Sequence, residues 1–115
     1  GRQALVDGLT HYTPSLGLPA LREAIAGFYQ QRYRVDIDPA RIIITPGASG
    51  ALQLLLGVLV NPGDKVLMAD PGYPCNRHFV SLYGGEPVAL AVGPQTGYQL
   101  TAELVERHWQ PGTVA

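Results

Sequence analysis

The sequence predicts an α/β domain, a partial three-layer αβα arrangement with a mostly parallel sheet. Short, near-continuous apolar runs alternate with segments of helical periodicity, the pattern of strands buried on both faces. Glycine (14 residues) and proline (10 residues) are abundant and fall at the boundaries between those runs, which signals tight turns rather than a disordered linker. A chain of 115 residues, 46% hydrophobic, can bury a single core.

Charge and cysteine content narrow the setting. The net charge is −1 with both signs interspersed, so there is no electrostatic footprint for nucleic acid or an anionic membrane. A single cysteine, Cys75, allows no internal disulfide and leaves a zinc cage without ligands. No stretch approaches the roughly 18 apolar residues that span a bilayer. Residues 1–9 lack the layout of a signal peptide. The expectation is a soluble, cytoplasmic protein.

Residues 1–18 carry the weakest periodicity and are expected to form a loop or arm ahead of a domain over 19–115. Pro19 suits the first turn of a helix. Leu21, Ala24, Ile25, Phe28, Tyr29 and Arg32 then recur at helical spacing, giving an amphipathic helix of about four turns. Asp36-Ile37-Asp38-Pro39 ends it, because the residue before proline is biased away from helix. Ile42-Ile43-Ile44-Thr45 reads as a short buried strand, since β-branched side chains are stiff and pack well on a sheet.

Pro46-Gly47-Ala48-Ser49-Gly50 is a small-residue turn opening a strongly apolar helix. Pro62-Gly63-Asp64 is a turn, and residues 65–70 read as a second strand. Pro71-Gly72-Tyr73-Pro74 breaks it. A helix over 75–83 is stopped by Gly84-Gly85, and residues 87–92 form a third strand. A helix over 101–109 places Leu104, Val105, His108 and Trp109 on one packed face. Residues 113–115 look like the start of a fourth strand.

Two segments follow strand ends, where ligands gather in parallel sheets. The turn at 47–49 leads into a helix N-terminus, whose free N–H groups and positive dipole end suit an anion such as phosphate. The residues equally allow a plain packing role for Gly47 and Gly50. Tyr73, held between two prolines, is a stiff mount for stacking on a flat ligand, or an ordinary half-buried tyrosine. The turn is not Gly-x-Gly-x-x-Gly, which counts against a Rossmann-like nucleotide binder. A non-catalytic interaction domain is the other alternative.

Three blocks together resemble the class I/II aminotransferases of fold type I. They are Tyr12-Thr13-Pro14 with Gly17 and Leu21-Arg22-Glu23-Ala24-Ile25; residues 44–52, a "T.GA..AL" turn; and Pro62-Gly63-Asp64-Lys65-Val66 followed by Asp70-Pro71-Gly72-Tyr73-Pro74. The resemblance covers roughly residues 10–92. It implies part of a large domain that uses pyridoxal 5′-phosphate (PLP) to move an amino group between an amino acid and a 2-oxo acid. It further implies that Gly47, Ala48 and Ser49 hold the cofactor phosphate and that Tyr73 stacks on its ring. Tyr12 would reach the phosphate of a partner subunit in a homodimer, and Arg22 would stay structural. The Schiff-base lysine has no counterpart: Lys65, the only lysine, opens a strand at the wrong end. On this reading the chain is a truncated piece without catalytic residues of its own. Its first strand would lie apart from the second with both edges exposed, favouring self-association.

Overall fold

The computed structural model describes residues 1–115, which form two compact units, Gly1–Pro46 and Gly47–Ala115.

The N-terminal unit opens with a helix that the sequence pattern does not reveal, α1 (Arg2–Val6). Five residues are too few to show a period, and such a short helix is marginal without local support. Here the Gln3 side chain donates to the Asp7 carboxylate at 2.7 Å, one turn on. α2 (Pro19–Tyr33) has its expected proline in the first turn and ends at Arg34, whose φ of 58° is left-handed. The Asp38 carboxylate accepts from the Ala40 N–H at 2.8 Å and caps a 3₁₀ turn, Pro39–Arg41. Arg22 reaches back from α2 to the Pro39 carbonyl at 3.1 Å, so its role is structural.

Residues 42–45 are not a strand. The backbone is extended at Ile42 (φ −101°, ψ 124°), but none of these residues joins a ladder. The Ile44 N–H donates to the Leu16 carbonyl at 3.0 Å, and Ile43 is 54% exposed rather than buried. β-branched side chains favour extended backbone, but a strand also needs a neighbour to bond. What holds this segment is close packing: Gly17 is buried with φ +93°, and a Cβ there would lie about 2.5 Å from the Ile44 side chain.

The C-terminal unit contains α3 (Gly47–Leu59), β1 (Lys65–Asp70), α4 (Cys75–Leu82), β2 (Glu86–Ala91) and α5 (Ala102–His108). β1 and β2 pair in parallel, Lys65 opposite Glu86 through Asp70 opposite Ala91, with α4 as the crossover. The chain then returns to the other edge of β1. The Lys65 N–H donates to the Gly112 carbonyl at 2.7 Å, Val114 donates to Lys65 at 2.9 Å, and Leu67 donates to Ala115 at 2.8 Å. Residues 113–115 therefore act as the expected further strand, with Thr113 buried against Lys65.

Leu56 and Val60 at the end of α3, Val66 of β1 and Val80 of α4 form the core, flanked by Met68, Phe79 and Tyr83. Val80 is fully buried. Leu67 and Leu90 are also buried and, by the alternation of a strand, point to the opposite face of the sheet from Val66. The turn into β1 is fixed by Asp64, whose carboxylate accepts from the Asn61 backbone N–H at 2.7 Å. α5 is capped by Thr101, which accepts from the Leu104 N–H at 3.2 Å. α3 is less covered than its composition suggests: only Leu56 is buried, and Val58 is 83% exposed.

Truncating Val80 to Ala removes two methyl groups from a site with no exposure, and is expected to lower stability by roughly 2 kcal/mol. Val58→Ala on the exposed side of α3 should stay within about 0.5 kcal/mol. Urea midpoints of the two variants check the contrast. Gly17→Ala must both accept a left-handed φ and push Ile44 aside, and is expected to destabilise by about 1–3 kcal/mol in the same measurement.

Candidate functional site

The anion corner begins where the sequence pattern places it. α3 starts at Gly47, which has φ +78°, a conformation that costs an L side chain about 1–2 kcal/mol. Open space surrounds the position its Cβ would take, so the demand on this residue is torsional rather than steric. Gly47, Ala48 and Ser49 are all exposed. The first-turn N–H groups of a helix lack intrahelical acceptors, and the dipole of this 13-residue helix adds positive potential there. A small anion can approach these amides and the Ser49 hydroxyl without displacing packed side chains.

The second candidate lies beyond the carboxyl end of β1. The chain passes through a cis Asp70–Pro71 bond to Tyr73 and enters α4 at once, with Pro74 as the residue before the helix. The Asn76 N–H donates to the Tyr73 carbonyl at 3.2 Å, closing the turn. Tyr73 is 63% exposed. It lines a cavity of about 320 Å³ with Leu67, Ala69 and Leu100 as apolar wall and Asn76 and Arg77 as polar members. A ring stacking on Tyr73 would meet apolar surface on one side and hydrogen-bonding groups on the other.

The electrostatics of this cavity are mild. The Arg77 guanidinium stands 3.8 Å from the Asp70 carboxylate with both side chains half exposed, a pair worth little in water. The Asn76 Oδ1 atom is buried without a hydrogen-bond partner, and a buried acceptor left empty favours any ligand that brings a donor. The Tyr73 phenol is held above its usual pKa, first by its hydrogen bond to the Cys75 side chain and then by the charge that thiol can carry. Asn76 and Arg77 are not singled out by any motif. The signal that marks them is their offset of three and four residues from Tyr73 at a helix entrance, which brings side chains to one side.

The expected site residues are thus not all brought together. Gly47, Ala48 and Ser49 open α3, and Tyr73 follows β1, but the cavity beside Tyr73 is lined by none of the three. Tyr12 belongs to the N-terminal unit, where it is fully exposed. Lys65 begins β1, at the end opposite Tyr73. His108 is exposed rather than packed: its Nδ1 lies 2.8 Å from the Leu104 carbonyl, one turn back on α5, an interaction that satisfies the ring without burying it. No group of three or more His, Cys, Asp or Glu side chains is placed to hold a metal ion. No helix is long and apolar enough to cross a membrane.

The comparisons with known proteins agree with one another. The family described as aminotransferase class I and II matches residues 2–112. A valine–pyruvate aminotransferase of Mycobacterium tuberculosis is 44% identical over 94 residues, covering 82% of this chain and 24% of the relative. A probable aspartate/prephenate aminotransferase of Thermus aquaticus is 35% identical over 115 residues, covering 100% of this chain and 30% of the relative. Among solved structures, an aminotransferase from Mycobacterium tuberculosis superposes with a TM-score of 0.88 at 39% identity, over 97% of this chain and 29% of that one. The chain thus spans between a quarter and a third of the length of these relatives. A family match over nearly every residue, a shared backbone, and a turn-to-helix corner and strand-end tyrosine at the family's positions lead to one assignment: the chain belongs to the aminotransferase class I and II family.

Proposed function

We propose that the protein carrying this chain is a PLP-dependent aminotransferase, and that these 115 residues supply part of its cofactor site. The observation that carries the reading is the start of α3 at Gly47: the family match spans it, and the exposed first turn offers what a phosphate needs. Gly47 and Ala48 would bind the cofactor phosphate through main-chain amides, and Ser49 would add a hydroxyl. Tyr73 would stack on the pyridine ring, its exposed face and apolar surroundings suiting a flat aromatic guest. Tyr12, fully exposed, is free to extend toward the phosphate of a second subunit in a homodimer.

Bound in such a site, PLP serves as the electron sink for amino-group chemistry on amino acids and 2-oxo acids. This chain's part is to hold and orient. The anionic tail sits on the α3 amides, and the ring is confined by Tyr73. The covalent anchor is not among these residues, because Lys65 stands at the far end of β1. Relatives named for valine–pyruvate and for aspartate/prephenate transfer share the corner and the ring mount without sharing a substrate, so the choice of amino donor is made elsewhere. The exposed apolar side of α3, with Leu54, Leu55 and Val58 more than half exposed, supports self-association of the chain.

Titration with PLP, and separately with inorganic phosphate, is expected to shift the backbone amide resonances of residues 47–51. No shift at millimolar ligand would overturn the phosphate assignment. Ser49→Ala should weaken the interaction by roughly 1 kcal/mol, the contribution of one hydrogen bond to a charged group. Sedimentation is expected to give a mass above the monomer that rises with concentration. A monomer at all concentrations would remove the self-association.

A further inference from the structure

Tyr73 is unusual among the exposed tyrosines in having its hydroxyl tied down. Its phenol bonds the thiol of Cys75, two residues on. The backbone between them is stiff: Pro74 fixes its own φ at −63°, and the Asn76 N–H closes the turn on the Tyr73 carbonyl. The two partners are unequally anchored. Cys75 is half-buried and is the first residue of α4, a helix held in the core by Phe79 and Val80. The phenol ring is 63% exposed. The sulfur is the fixed member and the ring the mobile one.

We infer that Cys75 is a positioning residue: its thiol holds the Tyr73 ring against the cavity wall in the orientation a stacked ligand requires. The inference rests on the proposed role of Tyr73 in cofactor binding. Two features of the cavity point to a ligand independently of the cysteine. The wall of Leu67, Ala69 and Leu100 leaves room for a flat ring, and the buried Asn76 Oδ1 that lines the same space has no donor. An untethered surface tyrosine samples several rotamers, and ordering it on binding costs affinity. Pre-setting the ring removes part of that cost, which corresponds to roughly a two- to fivefold gain in affinity. Serine at position 75 keeps a hydrogen-bonding group, whereas alanine keeps none.

The test uses the natural protein that carries this chain and two readouts. The first is the ultraviolet titration of the Tyr73 phenol, isolated from the other five tyrosines by subtracting each protein's Tyr73→Phe counterpart. In Cys75→Ala the phenol is expected to ionise at lower pH than in the parent, with Cys75→Ser shifted in the same direction. An unchanged titration would show that the thiol does not hold the ring, and would overturn the inference. The second readout is the dissociation constant of PLP, expected to rise two- to fivefold in Cys75→Ala and less in Cys75→Ser. Loss of affinity in Tyr73→Ala with none in Cys75→Ala overturns the positioning role alone. Unchanged affinity in Tyr73→Ala overturns the stacking role itself, and the inference falls with it. Should Cys75→Ala not fold, Cys75→Ser decides through the same two measurements, an absent shift in either counting against the inference.

Discussion

A parallel strand holds its shape when both of its edges are bonded, and β1 is the segment of this chain for which that is true. β2 takes one edge and residues 112–115 take the other. With its backbone satisfied on both sides, β1 can bury Val66 and Leu67 toward opposite faces. Val66 then joins Leu56, Val60 and Val80 in one cluster, which fixes α3 and α4 on that face. The position of Tyr73 follows, because it is carried on the short link between the end of β1 and the start of α4. The ring is placed by the sheet, not by its own loop.

Residues 42–45 show the same rule from the other side. Three isoleucines in a row have strong preference for extended backbone, and the backbone is extended. Without a bonding neighbour the segment gains no ladder, and the cluster of Gly17 and Leu16 around Ile44 is what keeps it in place. Propensity describes a residue's share of a sheet, while the sheet itself is a property of the neighbours.

What could be read from the sequence divides along that line. Features set by a few adjacent residues were legible: Pro19 at the first turn of α2, the Asp64 turn into β1, the Thr101 cap of α5, and Gly47 at the head of α3. Features set by distant partners were not. The unpaired state of residues 42–45 depends on a ladder that no local pattern encodes. α1 was hidden by its brevity, and the exposure of His108 by a periodicity that does not say which face is covered. In the candidate site, the corner and Tyr73 stood out because glycine, proline and an aromatic ring punctuate the chain. Asn76, Arg77 and Cys75 passed as ordinary residues of a helix, since only the fold turns them toward Tyr73's cavity.

The two edges of β1 also differ in how they can form. Lys65 meets Glu86 across a short crossover, but it meets Thr113 across roughly twice that length of chain. Doubling a loop adds about 0.6 kcal/mol to the entropy of closing it, and longer-range contacts form more slowly. The βαβ half can therefore assemble first and receive the last residues as a late addition. That order makes the outer edge the weaker seam: amide protons of Leu67 and Val114 exchange with solvent before those of the β1–β2 ladder, and the strand that carries the aromatic ring keeps its inner partner while its outer one comes and goes.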